Sequence, residues 1–160
     1  MDDIKFKPIG IIHSVFKNVS NMPIQPKGAK GIKGTIEIKP EYVAGLKDLS
    51  GFSHIILLYH LHLTKGYSLE VVPFMDNHLR GVFSTRAPKR PNPIGLSVVK
   101  LIKIENNILY IENVDIVDNT PLIDIKPYIP AFDEQEVFRI GWLAETENKV
   151  KNKRSDNRFK

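Results

Sequence analysis

Apolar residues in this chain fall into eight short runs: residues 4–16 (IKFKPIGIIHSVF), 34–39 (GTIEIK), 52–63 (FSHIILLYHLHL), 81–85 (GVFST), 94–104 (IGLSVVKLIKI), 107–117 (NILYIENVDIV), 122–129 (LIDIKPYI) and 136–143 (EVFRIGWL). The runs are rich in β-branched and aromatic side chains and are punctuated by Gly, Pro and Asn. This is the pattern of short strands that close into a barrel or a sandwich. Doubly wound nucleotide-binding folds need strands alternating with helices, and that alternation is missing. IKIENNILYIE reads as a hairpin turning at Asn106 and Asn107. A short helix is expected within KPEYVAGLKDLSGF, where Tyr42, Leu46 and Leu49 share a side, with a brief turn around residues 131–136. The expected fold is therefore all-β. Residues 1–147 form one small β-barrel domain with one or two short helical turns, and residues 148–160 form a basic tail too poor in apolar residues to pack, hence mobile.

At 160 residues and 42% hydrophobic, the chain can bury one good core. The absence of cysteine excludes disulfides, thiolate nucleophiles and sulfur-ligated zinc, and suits a reducing compartment, so the cytoplasm is the expected location. No run approaches the roughly 18 apolar residues of a membrane span, and neither a secretory leader nor a membrane anchor is expected.

The net charge of +5 resides in residues 148–160, which hold six Lys/Arg against one Asp, so the preceding residues balance. Inside that balanced body the signs separate. Ile4 to Ile36 carries six lysines and no acid, and Asn77 to Ile104 carries six Lys/Arg and no acid. Acidic residues gather between Glu105 and Glu147. This segregation suits a nucleic-acid or other polyanion face, although lysines solvating exposed strand faces would give the same count.

Three stretches bear chemistry. In TRAPKRPNPIG, Pro88, Pro91 and Pro93 fix φ and push Ala87, Arg90 and Asn92 towards extended conformations. A loop stiffened in this way meets part of the entropic cost of ordering Arg86, Arg90 and Asn92 before a ligand arrives. Arginine presents a planar fork to carboxylate or phosphate, and Asn92 offers one acceptor and two donors. In FSHIILLYHLHL, an extended strand would put His54, His60 and His62 on one face. His60 and His62 then have the spacing of a metal pair, but no third ligand is announced, and no metal is expected. In NVDIVDNTPLIDIKPYIP, Asp115, Asp118 and Asp124 punctuate apolar residues, where they would cap turns, pair with Arg86 or Arg90, or face a cationic ligand. GAKGIKG lacks Walker spacing and a following helix, and reads as a loop leading into a strand.

The stretch GVFSTRAPKRPNPIGLSVVKL resembles the signature of the TrmO (TsaA-like) family, the tRNA threonylcarbamoyladenosine N6-methyltransferases. IGIIHSVF, GFSHIILLYH and VDIVDNTPLIDIKPYIP support the resemblance in order along the chain, so that it covers roughly residues 4 to 132. It implies a small all-β barrel that binds S-adenosylmethionine without a Rossmann fold, usually as a homodimer, in the shorter form that lacks an added C-terminal domain. It also implies cofactor contacts at Gln25, Pro26, His62, Leu63, Arg86, Leu96, Asn113 and Asp115. Arg86, Arg90 and Asn92 are the residues expected to carry catalysis by orienting substrate or cofactor. The implied activity is methyl transfer from S-adenosylmethionine to N6 of threonylcarbamoyladenosine beside the tRNA anticodon, with His62 or an aspartate taking the proton. The alternatives are a basic β-barrel that holds RNA without catalysis, or a methyltransferase with a different acceptor.

Overall fold

The computed structural model describes residues 2–144, 146, 153–156, 158 and 159. Six strands close into an antiparallel barrel: β1 (Gly10–His13), β2 (Lys33–Ile38), β3 (His54–His60), β6 (Ile94–Glu105), β7 (Ile108–Glu112) and β8 (Thr120–Pro127). Around the barrel the order is β1-β2-β7-β6-β3-β8, and β8 pairs back onto β1 through Gly10–Leu122 and Ile12–Thr120. A two-stranded ribbon, β4 (Glu70–Val71) with β5 (Arg80–Gly81), stands apart from it.

Alternation decides which side chains fill the barrel. Ile12, Ile36, Ile38, Ile55, Leu57, Val99, Leu109, Ile111 and Leu122 point inward and are buried, and Val114 and Ile116 add to the same core from the segment between β7 and β8. Closure is helped by two irregularities in pairing. Ile102 is the extra residue between Leu101–Ile111 and Lys103–Tyr110, and Ile123 the extra residue between Leu58–Asp124 and Tyr59–Leu122. The β6–β7 hairpin turns at Asn106 and Asn107, and Asn106 takes the left-handed conformation with φ 53°.

Several expected strands are not strands. Only Arg80–Gly81 of the region around GVFST pairs, and Val82–Ser84 coil into a 3-10 turn. After β7 the chain leaves the sheet at Asn113, with φ 68°. Residues 136–143 run irregularly into a 3-10 turn at Gly141–Leu143, leaving Phe138 84% exposed. The reason is common to all three: a closed barrel has no free edge to which a further strand can bond. The helix expected near residue 42 is two 3-10 turns, Pro40–Leu46 and Leu49–Gly51, separated by Asp48 at φ 65°. With about three residues per turn, Val43, Leu46 and Leu49 rather than Tyr42 share the face that packs on the barrel. A single helical turn, α1 (Pro130–Asp133), follows β8.

The tail expected to be mobile packs at its described residues. Arg154 pairs with Pro23, and Ser155 donates from N to the Met22 carbonyl and from Oγ to the Val19 carbonyl. Phe159 is buried among Val71, Val82, Ala87 and Phe74, meeting the Phe74 ring edge-on at 5.1 Å. One aromatic with a prepared apolar hole outweighs a polar composition. The remaining residues of 147–160 lie outside the described ones.

Candidate active site

The proline loop between Val82 and Ile94 cannot join the sheet, and its own backbone and side chains hold its shape. Thr85 Oγ1 donates to the Val82 carbonyl and accepts from the Ala87 N–H. Arg90 Nη1 donates to the carbonyls of Thr85 at 3.1 Å and Ala87 at 3.2 Å, so this guanidinium staples the loop from within. The N–H of Leu61 donates to the Pro93 carbonyl at 2.8 Å and ties the loop to the end of β3. Arg86 is left projecting, with Nη1 donating to Gln25 Oε1 at 3.0 Å. Among the expected orienting residues, Arg86 therefore presents its charge outward, while Arg90 spends part of its fork on carbonyls.

Beside this loop lies a cleft of about 780 Å³. Apolar side chains such as Met22, Leu61, Phe74 and Leu96 line much of it, with Lys65, Arg86, Arg90, Asp115 and Asp156 as its charged members. Val114 and Ile116, both buried, anchor the segment on either side of Asp115. Its Oδ1 accepts from Ser97 Oγ at 2.7 Å, and Ser97 Oγ lies 2.9 Å from the hydroxyl of Tyr59. Because the Ser97 proton is committed to the carboxylate, the Tyr59 hydroxyl donates to Ser97. Burial pushes the Asp115 carboxyl up to about 6, opposed by Ser97, by its own backbone N–H and by Arg86. Burial also raises the Tyr59 phenol, and the Asp115 charge adds to that. Asp115 is thus a carboxylate that ionises near neutrality, facing a largely apolar space.

His62 does not continue the strand. β3 ends at His60, and the chain turns so that the N–H of His62 donates to the His60 carbonyl. The two histidines therefore do not share a strand face as the sequence pattern implies. Burial lowers the His62 pKa, which keeps its ring neutral at pH 7.

Gln25, His62, Leu63, Arg86, Arg90, Asn92, Leu96 and Asp115 all border the cleft, although they come from four separate parts of the chain. Pro26 and Asn113 do not. Pro26 starts the 3-10 turn Pro26–Ala29 that follows Gln25, and Asn113 Oδ1 accepts the Gly31 N–H at 2.9 Å. Sequence reasoning missed Tyr59, Trp142 and the tail residues Ser155, Asp156 and Phe159, which also border it, and Ser97, which is buried behind Asp115. Trp142 Nε1 donates to the Ser84 carbonyl at 2.9 Å, next to Arg86. One signal for Tyr59 and Ser97 was present: Gly95 and Ser97 take inward positions on β6, where an apolar core residue is the norm.

The model of the tRNA-methyltransferase O N-terminal domain matches residues 11–134. A probable S-adenosyl-L-methionine-binding protein of Pyrococcus abyssi is 55% identical over 156 residues, covering 98% of this chain and 85% of that protein. A tRNA (adenine(37)-N6)-methyltransferase of Homo sapiens is 34% identical over 139 residues, covering 81% of this chain and 31% of its own length. The crystal structure of TrmO from Pseudomonas aeruginosa superposes with a TM-score of 0.74 at 36% identity, and the match covers 88% of this chain and 63% of that one.

Proposed function

This chain belongs to the tRNA-methyltransferase O family, and on that premise we propose that it is an S-adenosylmethionine-dependent methyltransferase that N6-methylates threonylcarbamoyladenosine next to the tRNA anticodon. The observation that carries the reading is the cleft itself. The family signature, Phe83 to Leu101, supplies one wall with Arg86, and Asp115 faces the same space. A cleft of about 780 Å³ that is mostly apolar, with the outward-projecting Arg86 guanidinium and the Asp115 carboxylate among its charged groups, fits S-adenosylmethionine by chemistry. The apolar lining suits its adenosine, Arg86 its carboxylate and Asp115 its positive charge. When bound, the cofactor supplies a methyl group on a sulfonium sulfur, ready for in-line displacement.

The residues of the chain orient the reactants and move a proton. Arg86, held by Gln25, binds a carboxylate of the cofactor or of the threonyl group. Arg90 fixes the loop in shape, and Asn92 meets the base or the loop. His62 at the cleft wall, or an aspartate, accepts the N6 proton. Leu63 and Leu96 close the rim, while Pro26 and Asn113 act through the loop that carries Gln25. We place the cofactor-binding unit in residues 1–147. We also infer a homodimer, because Ile94 and Leu96 on β6, 40% and 49% exposed, leave an apolar wall of the cleft open for a second copy to cover. A tRNA substrate favours the cytoplasm. Among the described residues no helix is long and apolar enough to cross a membrane.

The test is incubation of purified protein with S-adenosylmethionine and tRNA with or without the threonylcarbamoyl modification, followed by nucleoside mass spectrometry. One added methyl on the modified adenosine alone is expected. RNA binding that ignores both cofactor and modification would replace this reading with the non-catalytic one.

A further inference from the structure

Among the described residues the barrel buries two hydroxyl side chains besides Tyr59: Thr120, which donates to the Val117 carbonyl, and Ser97, which forms with Tyr59 a chain of hydroxyls that has a direction. Ser97 is only 1% exposed and Tyr59 only 6%. Buried hydroxyls at such positions cost free energy unless they are bonded, and these two are bonded to each other and then to Asp115. Across β3 and β6, Tyr59 pairs with Gly95 and Leu57 with Ser97. The ring of Tyr59 lies directly over Gly95, where a Cβ would come within 2.5 Å of its Cζ. The missing side chain at residue 95 is what lets the phenol lie flat and reach Ser97. Three residues on two strands thus serve one carboxylate that borders the cleft.

We propose that Tyr59 and Ser97 are positioning residues, whose hydroxyl chain holds the Asp115 carboxylate against the cleft as a fixed counter-charge, so that the site distinguishes a sulfonium from the neutral thioether left after methyl transfer. The inference rests on the proposed use of S-adenosylmethionine. With Ser97 donating to Oδ1 and Tyr59 donating to Ser97, both hydroxyl protons point towards the carboxylate and favour its ionised form. The charged and titratable groups facing Asp115 are Tyr59 from β3 and the Arg86 guanidinium from the proline loop. Arg86 also favours the carboxylate, whereas burial opposes it. A cationic ligand relieves that opposition and a neutral one does not. After the methyl group leaves, the remaining thioether has no charge for Asp115 to hold, and the product is released more readily than the cofactor.

The experiment compares S-adenosylmethionine with S-adenosylhomocysteine by calorimetric titration from pH 5 to 8, alongside NMR titration of the Asp115 carboxyl in the ligand-free protein. In the native protein the preference for the sulfonium should be roughly tenfold at pH 8, the equivalent of about one pKa unit of coupling, and should fade towards parity at pH 5. Ser97→Ala removes a donor to the charged form, so the Asp115 midpoint should move up by roughly one unit and the loss of preference should move with it. Tyr59→Phe, nearly identical in shape, should give a smaller shift in the same direction. If both ligands bind but neither variant moves the carboxyl midpoint or the preference, the inference is overturned and the cofactor reading survives. If neither ligand binds the native protein, the cofactor reading falls and takes the inference with it. The carboxyl titration needs no ligand, and circular dichroism of each variant separates a moved midpoint from a lost fold.

Discussion

Replacing Asp115 by Asn should stabilise the fold near neutral pH while removing one of the two carboxylates among the described residues that border the cleft. In the folded chain burial lifts the Asp115 pKa from the ordinary 3.8 to about 6. Between those two values the unfolded chain has already released this proton and the folded chain has not. Stability is therefore fully present below about pH 4, is lost as the pH rises towards 6, and stays lower above it. A shift of roughly two units corresponds to about 3 kcal/mol, reduced to about 1–3 kcal/mol because the carboxylate borders an open cleft. Asn keeps an oxygen for the Ser97 proton and carries no charge, so Asp115→Asn should melt higher than the native protein by roughly 3–10 °C at pH 7.5 for a domain of this size. The assay is thermal denaturation of both proteins at half-unit steps from pH 3.5 to 8. The difference should be near zero at the acid end, open between pH 4 and 6, and then level off. A difference that does not vary with pH, or a variant less stable at pH 7.5, would show that Asp115 is not held ionised at a cost to the fold.

Arg86→Ala should lower methyl transfer by roughly 10–100-fold, the worth of a hydrogen bond to a charged group, with little change in melting temperature because the side chain is exposed. Arg90→Lys should weaken cofactor binding by roughly fivefold in calorimetric titration, since the lysine ammonium sits one bond short of the Nη1 that donates to both the Thr85 and Ala87 carbonyls; an unchanged affinity would mean that the prolines alone hold the loop. Gly95→Ala should cost about 1–3 kcal/mol in denaturant unfolding, because its methyl would press on the Tyr59 ring. Phe159→Ala should cost about 2–3 kcal/mol, less than a central core aromatic; no loss of stability would place the end of the chain off the barrel.

The barrel was legible in the sequence because each strand carries its own evidence. In IGLSVVKL or GTIEIK, alternation declares the pleat, and Gly, Pro and Asn mark where each strand must stop. The rigidity of the Arg86 loop was legible for a similarly local reason, since each proline constrains itself and its neighbour. What failed were inferences that depended on a partner. EVFRIGWL has the composition of a strand but no open edge to join, and the turn register near residue 43 follows the three-residue repeat imposed by packing on the barrel end. The tail read as too polar to pack, yet Phe159 sits in the hole between Val71 and Val82.

The candidate site divides along the same line. Local chemistry singled out Arg86, His62 and Asp115 as residue types able to hold ions or protons. Closure of the barrel brought them to one cleft and put Tyr59 over Gly95 within reach of Ser97. Covalent and steric constraints act between neighbours and can be read in order along a chain. Burial, charge coupling and hydrogen-bond direction depend on which distant atoms become neighbours, and only the tertiary structure decides that.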